Sequence, residues 1–339
     1  MAQTLPRTRG GRLSPQQYID GILSGNRVVL ARAITVVESV LAMDADLGGE
    51  ILAGILPHTG KARRVGITGV PGAGKSTFID ALGMHLVQNQ GQKVAVLSVD
   101  PSSPISGGSI LGDKTRMARL SNEENAFIRP SPSRGHLGGV ARRTRETILL
   151  CEAAGYDNIF VETMGVGQSE TAVRSMTDFF LLIMLAGAGD ELQGIKRGIL
   201  EMIDGMVINK ADGDNESKAA AARVTYANAL HLFPASPDGW TPPVLTVSSI
   251  TGKGIPQIWE TVLQHRAHLE ATGHFARRRR NQALDWMREL ISDGLSDLFT
   301  ANPAVAGQLP VLEDAVRNNK LTPVAAAQTL LSTFIQKDK

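Results

Sequence analysis

This sequence predicts an α/β fold built on a doubly wound, mostly parallel sheet. Three observations carry that expectation. Short, nearly continuous apolar runs alternate with stretches of helical periodicity. A glycine-rich phosphate-loop pattern joins the first run to a helix. A second nucleotide-type pattern, Asn-Lys-Ala-Asp, follows a later run.

The segment 1–13 holds Arg7, Arg9 and Arg12 without an acid or an apolar run, so it is not a secretory signal; a disordered basic tail is expected, with a short organelle-targeting segment as the alternative. Ser14-Pro15 has the form of an N-cap followed by proline at the first helical position. Tyr18, Ile19, Ile22 and Leu23 then recur at helical spacing, as do Val29, Leu30, Ala33, Ile34, Val37 and Leu41. Residues 14–59 therefore read as an N-terminal helical extension of two or three short helices ending near Pro57.

Strand-type runs follow at 64–68, 94–99, 159–161, 179–185, 206–208 and 244–247. Each is apolar almost throughout, as expected for strands covered on both faces. Helical patterns lie between them at 78–90, 140–154, 191–203, 216–232 and 255–269, and Pro- or Gly-rich stretches at 101–108, 130–139 and 234–243 read as loops. Strand–helix alternation of this kind implies right-handed crossovers and a parallel sheet.

Composition narrows the function classes. At about 100–200 residues per domain, 339 residues suggest roughly two structural units. Apolar residues make up 42% but aromatics only 4%, so the core must rest on Ala, Val, Ile and Leu. The single cysteine, Cys151, excludes a disulfide framework and suits a reducing, cytoplasmic setting. Thirty-five basic against 33 acidic side chains leave no field strong enough to imply nucleic acid. The longest apolar stretch, 179–188, is too short for a bilayer, which needs about 20 residues. No nucleic-acid or membrane partner is expected.

The strongest motif is Gly69-Val70-Pro71-Gly72-Ala73-Gly74-Lys75-Ser76, a gapless match to G-x-x-x-x-G-K-[ST]. A strand is expected to end at Thr68 and a helix to begin near Thr77. Glycines let backbone N–H groups approach phosphate oxygens, and the helix N-terminus adds partial positive charge. Lys75 is placed to reach the β- and γ-phosphates, and the Ser76 hydroxyl to ligate Mg²⁺.

Asn209-Lys210-Ala211-Asp212 fits the N-K-x-D pattern of GTPases. A carboxylate at Asp212 can accept two hydrogen bonds from the ring N–H and exocyclic amine of guanine, a pair that adenine does not supply. The Lys210 stem can lie over the base, and Asn209 can tie loops together. Ser248-Ser249-Ile250 stands where GTPases carry a backbone contact to the guanine carbonyl. GTP or GDP with Mg²⁺ is thus the expected cofactor set.

Two acids address the metal. Asp100 closes the second run, and Glu162-Thr163-Met164-Gly165 stands where D-x-x-G is usual, with Glu for Asp. Carboxylates at the C-terminal ends of strands face the ligand side of an open α/β sheet. Asp100 and Glu162 are expected near Mg²⁺, and the Gly165 N–H near the γ-phosphate. Val166, not glutamine, follows that glycine, and Gln168 comes later. An apolar residue cannot polarise water, so intrinsic hydrolysis is expected to be slow.

At this point the chain resembles a known family. Val99-Asp100-Pro101-Ser102-Ser103, the string from Gly107 to Met117, Phe127 to Pro130, Leu150 to Gly155, Glu162 to Glu170 and Gly187 to Lys196 look like the MeaB/ArgK-type GTPases. These are P-loop proteins similar to the methylmalonic aciduria type A protein. The resemblance covers roughly residues 20–290. Met164 departs from the usual Val. It implies a GTP-dependent chaperone of an adenosylcobalamin-dependent acyl-CoA mutase, in which 60–271 is the P-loop core and 272–339 a C-terminal helical dimerisation arm giving a homodimer. It also implies that Asp100 to Asp113 is a first switch, with Asp113 near nucleotide and metal. Glu162 to Glu170 would be a second, and Gly187 to Lys196 a third that meets the partner and supports hydrolysis. Lys75, Asp113, Glu162 and Lys196 are the catalytic candidates, and Ser76, Asp100, Asp113 and Glu162 the metal candidates.

Other features weigh less. Arg277 to Arg280 reads as a solvated linker or helix start, with nucleic-acid contact as the alternative. His265, His268 and His274 lie near one another, but a metal site needs better ligands and a second shell, so none is expected there. Trp286, Met287, Leu290, Ile291, Leu295 and Leu298 form an apolar helical face, suited to a dimer or to the chain's own core. A metal-delivery GTPase and an arginine or ornithine transport-related kinase remain alternative readings, the first expected to carry Cys or His clusters and the second to prefer ATP. The expected outcome is slow single-turnover GTP hydrolysis by the purified chain. A rate without partner equal to that of a partner-stimulated GTPase would contradict it.

Overall fold

The computed structural model describes residues 12–39, 41–99, 116–130, 137–163, 169–187, 197–234 and 236–335. They fall into two compact units, Met1–Arg280 and Asn281–Lys339.

In the first unit, β1 (Arg63–Gly69), β2 (Val94–Val99), β3 (Ala126–Arg129), β4 (Asn158–Thr163), β5 (Phe179–Leu185), β6 (Gly205–Asn209) and β7 (Val244–Thr246) form one sheet in the order β3-β2-β4-β1-β5-β6-β7. Every pairing is parallel. The apolar runs explain this: β2 and β4 are buried at every position, which requires helices on both faces. From β1 the chain moves outward to β2 and β3 on one side and to β5, β6 and β7 on the other. The order therefore reverses around β1, and ligands of such sheets bind in the crevice beyond the strand ends at that reversal.

Helices follow the periodicity. α1 (Pro15–Leu23) starts with a reciprocal box: the Ser14 N–H donates to Gln17 Oε1 at 2.9 Å, and the Gln17 N–H to Ser14 Oγ at 3.3 Å. α2 (Arg27–Val37) is capped by Asn26, which accepts from Val28 and Val29. α3 (Ala42–Ile55) completes the N-terminal layer. α4 (Lys75–Met84) runs into a π-turn at His85–Asn89, and α5 (Leu137–Ala153), α6 (Ser169–Arg174), α7 (Arg197–Leu200), α8 (Glu216–Leu230) and α9 (Ile255–Ala271) follow. α10 (His274–Ala301) leads to α11 (Pro303–Arg317) and α12 (Pro323–Ile335).

The structure differs from expectation in places. β3 is an additional strand, only four residues between the polar stretch Glu123–Asn125 and Pro130, too short for a periodicity to register. α4 begins at Lys75, ahead of Thr77, because the helix takes up the end of the phosphate loop. α5 begins at Leu137, inside the expected 130–139 loop and despite Gly138-Gly139. Only Arg197–Leu200 of the expected 191–203 helix is seen as helix, part of that stretch lying outside the described residues. Two residues of the expected tail are held: Leu13 is buried and Arg12 pairs with Asp44 at 2.7 Å. Residues 1–11 of the expected tail lie outside the described residues.

The largest departure concerns the arginine run. It lies inside α10, and Arg278 and Arg279 are only 18% and 14% exposed. Arg279 grips Asp178 through two 2.7 Å bonds, donates to the Ala62 carbonyl at 2.8 Å and approaches Glu152 at 3.4 Å. Glu152 is also held by Arg64 at 2.8 and 2.9 Å. Arg278 reaches Asp238 at 2.9 Å and the Asp178 carbonyl at 2.6 Å. Asp204 takes a two-pronged bond from Arg174 at 2.7 and 3.1 Å, with His265 Nε2 at 3.4 Å. Arg64, Asp178 and Asp204 sit at the N-terminal ends of β1, β5 and β6, so this network closes the end of the sheet opposite the crevice. Burial alone would raise the Asp204 carboxyl. Arg174, His265 and Arg278 outweigh it and hold the group below its ordinary range.

The second unit packs Val305, Ala326 and Leu330 inward, and Phe299 meets Phe334 edge-on at 5.4 Å. Met287, Ile291, Leu295 and Leu298 of α10 are 49–64% exposed, so the apolar face expected there is open in this chain.

Two outcomes are expected. Arg279→Ala leaves buried Asp178 without its guanidinium partner, while Glu152 keeps Arg64, and lowers unfolding stability by about 3–5 kcal/mol in urea titration. Asp204, depressed in the folded state, stabilises the fold above the ordinary carboxylate range, and that contribution is lost as pH falls through its folded value. Asp204→Asn is therefore less stable at neutral pH, with a flatter acid limb in melting experiments.

Candidate functional site

The site is built from the C-terminal ends of β1, β4 and β6. β1 is buried from Val65 onward and ends at Gly69. A Cβ at Gly69 would lie 2.2 Å from the Ile183 carbonyl oxygen of neighbouring β5, so only glycine lets the chain leave the sheet here. The loop returns through Gly74, at φ +84°, where a Cβ would meet Asn209 Nδ2 at 2.8 Å. Pro71, Gly72 and Thr77 are exposed, whereas Val70 and Ala73 are buried beneath them.

Lys75 opens α4. Its ammonium folds back to donate to the Gly69 carbonyl at 2.8 Å and lies 3.5 Å from that of Val70. Burial pushes its pKa below the ordinary lysine value, and Arg116 acts in the same direction. Glu162 and Glu170 oppose them. A lysine partly desolvated among backbone dipoles and carboxylates is a cation ready for an anionic partner. The Ser76 hydroxyl donates to Glu162 Oε1 at 3.1 Å, and Glu162 is 2% exposed at the end of β4. Next to it the Thr163 hydroxyl donates to that of Thr68 at 2.9 Å, both fully buried, tying β4 to β1 just below the loop. A hydroxyl and a carboxylate this close form an all-oxygen donor pair, the kind a hard cation such as Mg²⁺ takes.

Asn209 ends β6 and is 1% exposed. Its amide N–H donates to the Ala73 carbonyl at 2.8 Å, and its carbonyl accepts from the Ser249 hydroxyl at 2.8 Å and the Ser249 N–H at 3.3 Å. One side chain thus joins the phosphate loop to the loop after β7. Lys210 takes a left-handed turn at φ +58°, and Asn215 secures it by donating to its carbonyl at 2.7 Å. The Ala211 N–H donates to the Val247 carbonyl at 3.0 Å. Asp212 accepts a short hydrogen bond from the Ser248 hydroxyl. Ile250 is 78% exposed at the tip of that loop.

Among the sequence candidates, Gly69 to Thr77, Glu162, Asn209, Lys210, Asp212 and Ser248 to Ile250 are brought to one end of the sheet. Asp100, Asp113, Gly165 and Lys196 lie outside the described residues, as do Val166 and Gln168. Sequence reading assigned no individual role to Glu170, 1% exposed on α6, nor to Arg116. It missed Asp80, which accepts from the Leu120 N–H at 2.9 Å and from Arg119 at 2.7 Å. Asp80 lies one helical turn after Ser76, which was the available signal. The three histidines have separate partners: His265 faces Asp204, His268 meets the Asp238 carbonyl at 2.7 Å, and His274 meets Thr272 at 3.0 Å.

This architecture matches known proteins along nearly its whole length. The family model described as methylmalonyl-CoA mutase-associated GTPase MeaB matches residues 30–304. The chain belongs to the MeaB family. Among MeaB relatives, a putative GTPase of Caulobacter vibrioides is 54% identical over 314 residues, covering 92% of this chain and 95% of that protein. The mitochondrial methylmalonic aciduria type A homolog of Mus musculus is 44% identical, over 96% of this chain and 82% of the mouse protein. A crystal structure described as LAO/AO transport system kinase superposes with a TM-score of 0.75 at 40% identity, over 95% of this chain and 98% of that one. MeaB proteins are GTPases, and guanine nucleotide is the cofactor class that membership carries.

Asn209→Ala leaves the Ala73 carbonyl and the Ser249 donors without their partner at a cost of about 1–3 kcal/mol each. The expected outcome is a loss of GDP affinity of about tenfold or more in fluorescent-nucleotide titration, with Lys75 and Glu162 untouched.

Proposed function

We propose that this chain is a GTP-switched chaperone of an adenosylcobalamin-dependent acyl-CoA mutase, methylmalonyl-CoA mutase being the first candidate. The observation that carries the nucleotide half is the Asn209 bridge between the phosphate loop and the Ser248–Ile250 loop, which sets base and phosphate ends at a fixed separation. The mutase half rests on the description of the family and on the likeness to the mouse homolog.

In this proposal the backbone of 69–77 wraps the phosphates, and Lys75 turns from its carbonyls toward them. Gly165 reads the γ-phosphate. Asn209, Lys210, Asp212, Ser248, Ser249 and Ile250 form the base pocket. The Asp212 carboxylate would exchange part of its bond from Ser248 for the two N–H groups of guanine. Ser76 and Glu162, with Asp100 and Asp113, would hold Mg²⁺, which supplies charge neutralisation at the phosphates when bound. Lys75, Asp113, Glu162 and Lys196 would carry hydrolysis, Lys196 only once the mutase is engaged.

The proposed roles along the chain are an N-terminal helical extension at 14–59, a nucleotide core at 60–271 and a dimerisation region at 272–339. The open apolar face of α10 supports a homodimer. No helix among the described residues is long and apolar enough to cross a membrane, and a cytoplasmic location is proposed.

A transport-related kinase is the second reading, supported by the likeness to the 40% identical structure of a transport system kinase. Competition separates them: GTP binding unaffected by excess ATP supports the GTPase chaperone, and ATP preference supports the kinase. The deciding experiment is co-purification with an acyl-CoA mutase and GTPase assay with and without it. Lys196→Ala is expected to keep GTP affinity within about twofold and to lose the mutase-stimulated rate. Equal stimulated rates in variant and parent would refute that role.

A further inference from the structure

Away from the crevice, the N-terminal helices and the β3 edge enclose an open cleft of about 670 Å³. That volume lies within the range of small-molecule sites, about 300–1,000 Å³. β3 is two places from β4, the nearest strand that ends at the crevice, so at about 4.8 Å per strand those two strands are roughly 10 Å apart.

The lining has two characters. Val28, Ala31 and Phe127 supply apolar surface, and Val28 is 68% exposed at the mouth. Around them stand Arg12, Arg27, Arg32 and Arg129, drawn from three separate places in the sequence, against one lining carboxylate among the described residues, Asp44. Three of them are oriented from behind. Arg12 leans on Asp44 at 2.7 Å, Arg129 pairs with Glu38, and Arg27 is held by the carbonyls of Glu123 and Glu124 at 3.5 and 3.2 Å. Arg12 and Arg129 still keep 39% and 29% of their side-chain surface accessible. Guanidinium groups fixed in this way lose little freedom on meeting a ligand, and their planar forks match oxyanions.

We propose that this cleft is a second ligand site, for an organic phosphate whose flat apolar body lies against Val28, Ala31 and Phe127. Four guanidinium groups against Asp44 and the neighbouring Glu38 favour a dianion over a monoanion, and a phosphomonoester is nearly dianionic at neutral pH. The apolar wall favours an organic ester over the inorganic ion. This site is independent of the GTPase reading, because none of its lining residues belongs to the nucleotide site.

The test is calorimetry on the full chain saturated with GDP and Mg²⁺, so that the nucleotide site is filled. The probe is 1-naphthyl phosphate, compared with 1-naphthol, 1-naphthoate and inorganic phosphate. The expected result is saturable binding of the ester with a dissociation constant below about 1 mM and about tenfold or more tighter than each comparator. Thr35→Trp, at an exposed lining position of α2, fills the cleft and abolishes the signal. Arg32→Ala weakens it by about tenfold. Both variants are expected to retain GDP affinity and melting temperature. The proposal is overturned if the ester does not bind, if inorganic phosphate or naphthoate binds as tightly, or if folded Thr35→Trp binds like the parent.

Discussion

The Asn209 carboxamide is the constraint on which the crevice depends. It is buried at the end of β6, and it spends both halves of its amide on other loops: the N–H on Ala73, the carbonyl on Ser249. A buried amide of this kind must keep all its partners or lose the desolvation cost of each. The loops are therefore fixed relative to the sheet before any ligand arrives. Gly74 is the counterpart, since the space a Cβ would need is taken by the same amide nitrogen. The glycine of the phosphate loop and the asparagine of the base motif, far apart in sequence, answer one steric requirement.

The opposite end of the sheet is organised by charge. Arg64, Arg174, Arg278 and Arg279 meet Glu152, Asp178, Asp204 and Asp238 where β1, β5 and β6 begin. The sheet thus carries a polar seal at one end and the candidate nucleotide loops at the other. Such a network contributes less net stability than the number of its bonds suggests, because each charge was desolvated to form it. It is costly to break singly. It also ties Arg278 and Arg279 at the start of α10 to the beginnings of the strands.

The crevice was legible in the sequence because its chemistry is local. The phosphate loop needs its glycines, lysine and serine within eight consecutive positions, and the base motif needs four. The parallel sheet was legible for the same reason, since strands buried on both faces, such as β2 and β5, must be apolar at nearly every position. β3 was not: four residues are too few for a pattern to stand out. The Arg277–Arg280 run stands at the start of a helix with Arg277 and Arg280 exposed, as its pattern implies, but Arg278 and Arg279 turn inward against the rule that a row of like charges is solvated. Its acidic partners lie about a hundred residues or more away for Asp178 and Glu152.

By itself, then, the sequence determined the fold class and the guanine-nucleotide class and nominated the loop residues, because each follows from short-range spacing and side-chain chemistry. Tertiary structure alone decided which of those residues touch. It placed Ser76 on Glu162, Asn209 on Ala73 and Ser248 on Asp212, buried Arg278 and Arg279, and gathered four arginines around a cleft at the β3 edge. Those contacts join segments tens to hundreds of residues apart. They arise from the order in which the strands pair, which local spacing does not encode.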